Sequence, residues 1–232
     1  MKKLLTSLLA ILMVLSLLAA CRREEEKAEE KKEPVTEEQG KPVEEKEEEK
    51  IPKDFTLGKV DGQTYENTFI KIGCRMPENW KYLTLEAQSV ANGIDEDLTG
   101  DALLEAYLEK DMFVDLTVSD GQGSSCSISM EKMDNKQLEE LDVLEYYEEQ
   151  LAALEAAFVE IVGAEKTTIG LEKVMLDGVV FDCIYMNITA NGIKMVQYMI
   201  AIKCDGYLAN LALATIDEEK MEGILDCFYL LK

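Results

Sequence analysis

Six cysteines and 47 acidic residues supply the obvious reactive groups of this 232-residue chain, which has no histidine. Without His, a Ser-His or Cys-His nucleophile pair, a His zinc site and the ordinary general base near neutral pH are all excluded. No Gly-rich phosphate loop opens a helix, because Gly121-Gln122-Gly123 falls in a hairpin turn. An enzyme here would be a hydrolase or thiol enzyme working through Cys or carboxylates, and acidic residues are too common for any pair to stand out. Asp95, Asp97, Thr99 and Gly100 match the start of a calcium loop, with Asp101 beside them, but Ala106 stands where the bidentate Glu is needed. A weak calcium-binding loop is the functional reading of Asp95, Asp97, Thr99 and Asp101; an acidic loop capping the next helix is the plain one. Met186, Met195 and Met199 could gather thioethers for Cu(I), but core filling explains them more simply. No cofactor is implied.

Cys21 stands apart from the other cysteines. Before it come a basic start, Met1-Lys2-Lys3, an apolar run from Leu4 to Leu17, and small residues at the end of Leu18-Ala19-Ala20. These are the three parts of a secretory signal rather than of a fold. The run is shorter than the roughly 20 residues of a spanning helix, and charge follows at once. Leu18-Ala19-Ala20-Cys21 resembles the lipobox of bacterial lipoproteins at all four places. The resemblance implies cleavage before Cys21, lipidation of that residue, and a protein held on the extracytoplasmic face of the cell membrane, since two or more acyl chains give lasting attachment.

After Cys21 the chain turns strongly polar, with thirteen Glu and three Pro between residues 22 and 54 and eight Lys or Arg before residue 51. Such a segment cannot bury enough apolar surface to offset its ordering entropy, so it reads as a disordered tether. Its reach is roughly 30 Å as a coil and on the order of 100 Å when drawn out. The division is therefore 1–20 signal, 21–54 lipidated Cys and tether, and 55–232 a single globular domain. Leaving out the leader and tether, the domain carries a net charge of about −20, which repels nucleic acid and anionic lipid.

The elements that must position any site are clearest in the last third. Asp177-Gly178, Asn191-Gly192 and Asp205-Gly206 recur every fourteen residues between β-rich runs. Asx-Gly is the preferred two-residue hairpin turn because both positions take positive φ. Three such hairpins make a four-stranded antiparallel meander, and reflection through each turn sets register and faces. One face collects Val174, Phe181, Cys183, Tyr185, Tyr198, Ile200, Ile202, Leu211 and Leu213 as core. The other carries Ile169, Leu171, Ile184, Met186, Met195, Met199 and Ala212, then Lys173, Asp182, Lys203 and Asn210 toward one end, and is expected to be partly buried. That polar group, Asp182 opposite Lys173 and diagonal to Lys203, with Asn210 beyond Ala201, is the candidate ligand patch; an exposed cross-strand ion pair is its plain reading.

Of the five remaining cysteines, Cys74, Cys126, Cys183, Cys204 and Cys227, an odd number cannot all pair within one chain. The register sets Cys183 and Cys204 roughly 13 Å apart, which forbids a disulfide between them. Most of the five read as small buried apolar residues, with room for one disulfide, and Trp80 reads as a core anchor. Helical periodicity covers 137–160 and 218–230. A strand over 69–76 stopped by Pro77, short helices from Thr84 and over 102–110, and a hairpin of 112–118 with 126–130 complete an α+β pattern in which helices pack an antiparallel sheet.

Tyr65-Glu66-Asn67, Pro77 and Trp80, set in this order of elements, resemble the PsbP-like α/β/α sandwich, also found in uncharacterised lipoproteins of anaerobic bacteria. The resemblance spans most of 62–232 and implies binding rather than catalysis. The expectation is a lipid-anchored binding or accessory module, not an enzyme, with the membrane as one partner through its lipid and an envelope protein as another.

Overall fold

The computed structural model describes Pro52 and residues 54–232. The leader, Cys21 and the tether up to residue 51 lie outside the described residues. In chain order the elements are β1 (Lys59–Asp61), β2 (Thr64–Asn67), β3 (Ile72–Arg75), β4 (Lys81–Tyr82), α1 (Leu85–Ala91) and α2 (Gly100–Leu108). Then come β5 (Met112–Ser119), β6 (Ser124–Lys132), α3 (Asn135–Glu140), α4 (Val143–Val162), β7 (Lys166–Leu176), β8 (Val179–Ala190), β9 (Ile193–Cys204) and β10 (Tyr207–Thr215). A 3-10 turn, Glu218–Lys220, leads into α5 (Met221–Leu225) and β11 (Phe228–Leu230). The strands form a seven-stranded sheet, β4-β5-β6-β10-β9-β8-β7, and a four-stranded sheet, β1-β2-β3-β11. All pairings are antiparallel.

The meander follows the reflected register: Leu176 pairs with Val179, Ala190 with Ile193 and Cys204 with Tyr207. Asp177 and Asn191 sit at φ 48° and 52°, each followed by a positive-φ Gly, as a type I′ turn needs. The third turn differs. Gly206 has φ 72° but Asp205 stays outside the left-handed region; its carboxylate instead accepts a 2.7 Å bond from Asn135 Nδ2, while Gly206 N donates to Asn135 Oδ1.

Two cores lie on opposite faces of the large sheet. The first, between the sheets, gathers Val174, Cys183, Ile200, Leu211 and Leu213, with Phe181, Tyr185, Tyr198 and Ile202 packed against it, so the assigned face is the one observed. Trp80 is buried in the same core. The opposite face is more deeply covered than the sequence pattern indicates: Ile184, Met186, Met195, Met199 and Ala212 are buried with Tyr147, Leu154 and Phe158 of α4. The three methionines are therefore core residues.

Both long helices are shorter than expected. The stretch 137–160 is broken at Leu141-Asp142, where the Asp142 carboxylate accepts from Leu144 N and Glu145 N and caps a new helix. The break rotates the apolar stripe, burying Tyr147 and leaving Leu144 exposed. The stretch 218–230 is helical only as far as Leu225; Phe228, Tyr229 and Leu230 pair with Cys74, Gly73 and Ile72. The strand over 69–76 narrows to Ile72–Arg75 because Asn67 Oδ1 accepts from Phe69 N and Ile70 N and turns the chain.

Candidate binding surface

Lys173 on β7 stands directly opposite Asp182 on β8, and a 2.7 Å ion pair joins them with the side chains 70% and 34% exposed. An exposed pair of this kind contributes at most about 1 kcal/mol. Register extends the row through Ala201 to Asn210 and Ser129. The four patch residues nonetheless separate. Asn210 is buried beneath α4 and lines a cavity of about 10 Å³ with Tyr146, Tyr147, Gln150, Leu154, Ile184 and Met199, the volume of about one water. Lys203 is exposed opposite Leu208, and among the described residues no ion pair joins it to Asp182. The cause is the course of α4, which starts over Asn210 and passes to β7 and β8 further along, leaving the corner at the β7–β8 turn uncovered.

That corner holds residues the sequence reading passed over. Pairing of β8 with β9 ends at Cys183–Ile200, whereas β7 and β8 stay paired to Leu176–Val179. The end of this hairpin therefore leaves the sheet. Its inner side chains, Val174 and Leu176, are buried in the first core, and the Asp177 carboxylate accepts a 2.9 Å bond from Leu230 N on β11. Its outer side chains, Met175 and Val180, are apolar and exposed, by 66% and 61%; Val179, paired with Leu176 on the inner side at the hairpin tip, is exposed by 43%. The signal was present in the sequence, since Met175 and Val180 flank the turn on the same face as Lys173 and Asp182, where the turn at Asn191-Gly192 has Thr189 and Lys194.

The reactive groups are held elsewhere. All five described cysteines are free. Burial pushes the thiols up, to about 11 for Cys74 and about 12 for Cys183 and Cys204, and well up for Cys126. Cys227, partly exposed, is also raised, and its Sγ donates to Gly223 O at 3.2 Å. A protonated thiol is a poor nucleophile. Asp115 occupies a β-bulge between Val114 and Leu116 and turns toward the small sheet. There it accepts from Tyr65 OH at 2.5 Å, Asn67 Nδ2 at 2.8 Å and Gly58 N at 3.0 Å. Burial raises its carboxyl, while these donors pull it down. Tyr65 is fully buried, and the cluster joins the two sheets.

In the acidic loop, Asp95 Oδ1 accepts from Asp97 N at 3.0 Å, and Thr99 opens α2 without a side-chain cap bond. Asp101 lies in the first turn of that helix. Among the described residues, no group of three or more Cys, Asp or Glu gathers where it could hold a metal ion.

No protein-family model matches the chain, and no curated protein does. Among solved structures it is similar to the cyanobacterial PsbP of Synechocystis sp. PCC 6803, at 13% identity and TM-score 0.42, covering 75% of this chain and 98% of that one. It is also similar to a protein of Bacteroides thetaiotaomicron VPI-5482, at 9% identity and TM-score 0.38 over 75% and 50% of the two chains. A third is LpqN, involved in cell envelope biogenesis of Mycobacterium tuberculosis, at 13% identity and TM-score 0.35 over 67% and 76%. A PsbP protein is thus among the similar structures. At these scores the likenesses carry nothing toward function, and the architecture rests on the strand order and register above.

Proposed function

We propose that this chain is a lipid-anchored accessory module of the cell envelope, acting by surface binding on the extracytoplasmic side rather than by catalysis. The observation that carries this reading is the exposed apolar end of the β7–β8 hairpin, beside the Lys173–Asp182 pair, in a domain whose thiols are raised out of reactive range. Contiguous exposed apolar surface marks an interaction site on a soluble domain. The lipobox at Leu18 to Cys21 supports the anchor, and among the described residues no helix is long and apolar enough to cross a membrane. The partner is the membrane through Cys21 and, through the domain, an envelope protein.

Two measurements test it. Cys21→Ala abolishes incorporation of labelled fatty acid and releases the protein from membranes; persistent labelling removes the lipobox reading. Crosslinking in intact cells followed by mass spectrometry of the captured neighbours returns one dominant stoichiometric protein. Crosslinks scattered over unrelated proteins count against an accessory role.

A further inference from the structure

We propose that the outer residues of the β7–β8 hairpin, Met175 and Val180, rest on the lipid bilayer itself and set the domain's orientation there. This inference rests on the anchor at Cys21 and adds to it a second, weaker contact. The tether enters the domain at the same end of the sheet. Pro52 lies 3.4 Å from where a Cβ on Gly206 would stand, in the β9–β10 turn, and Phe55 packs on Tyr207 with ring centroids 5.3 Å apart. In the meander the turns at Asp177-Gly178 and Asp205-Gly206 lie at the same end. A lipid at Cys21 therefore holds this end of the domain toward the bilayer, roughly 30 Å away with the tether coiled and on the order of 100 Å with it drawn out.

Charge around this corner is mixed: Lys173 pairs with Asp182 on the hairpin, the Asp177 carboxylate accepts from Leu230 N, and Lys71 lies beside that contact through its carbonyl bond to Leu231 N. The helical side is one-sidedly acidic: α3 and α4 expose Glu139, Glu140, Glu145, Glu148, Glu155 and Glu160. Tethering holds the hairpin end at high effective concentration, so a contact too weak to recruit a free domain is still populated.

The test uses the full lipidated chain on phosphatidylcholine vesicles with brominated acyl chains. Val180→Trp and, separately, Met175→Trp replace exposed side chains, so neither burdens the fold; Val159→Trp on α4, also exposed, is the control, and buried Trp80 adds a constant background. The expected result is at least a two-fold loss of the added emission at 175 and 180, with none at 159. No quenching at either hairpin position in protein that pellets with the vesicles overturns the bilayer contact while leaving the anchor intact, as does equal quenching at all three. Protein that stays in the supernatant overturns the anchor and the contact together.

Discussion

Cys74, Cys183 and Cys204 have folded-state pKa values of about 11, 12 and 12, against roughly 8.5 for an unfolded thiol. An acid whose pKa is raised by folding binds more protons in the folded state between the two values. Stability is therefore level below about pH 8.5 and falls as pH climbs through the folded values. The urea midpoint is expected to drop between pH 7.5 and 10.5, and the Cys74→Ala, Cys183→Ala, Cys204→Ala combination to flatten that drop. An equal drop in the triple variant would assign the pH dependence to other groups. At this scale the sequence was half legible. The odd count and the forbidden Cys183–Cys204 pair left one disulfide open, and it is burial in the fold that shows all five thiols free. The linkage of Asp115 to Tyr65 and Asn67 was not legible, because it depends on a bulge that turns one side chain of β5 toward the other sheet, and nothing local in Val114-Asp115-Leu116 encodes that.

Among the elements, the three Asx-Gly turns look alike in sequence and differ in conformation. Asn191 has φ 52°, where a Cβ crowds the following carbonyl, whereas Asp205 is in ordinary space. Asn191→Ala is expected to cost about 1 kcal/mol in urea unfolding, and Asp205→Ala, which loses only an exposed bond to Asn135, distinctly less. Matching losses would mean that the two turns share one geometry. Register was readable because two-residue loops leave no freedom in it. Helix ends were not, for two separate reasons. The apolar spacing runs on through Leu141, and only the capping bonds of Asp142 restart the helix. Phe228-Tyr229-Leu230 has helical spacing with Ile224, yet its backbone pairs with β3, a partner far away in sequence that outweighs local periodicity. Likewise the hairpin end at Met175 and Val180 is an element-level fact, created where β8 parts from β9.

For the molecule as a whole, a formal charge of −23 over 232 residues is a standing self-repulsion. Exposed ion pairs such as Lys173–Asp182 and Lys194–Glu218 offset little of it. Screening should therefore stabilise: the urea midpoint is expected to rise between 10 mM and 500 mM sodium chloride. A fall would mean that specific ion pairs outweigh the general repulsion. The small sheet has a further consequence, for the timing of assembly. Its first three strands are made early, but its fourth, Phe228–Leu230, comes last, and Tyr229 OH reaches back 163 positions to Glu66. Until that final strand emerges, the edge of β3 and the core beneath it stay open. Closure of such distant contacts is slow, so the small sheet is the last part of the fold a growing chain can complete.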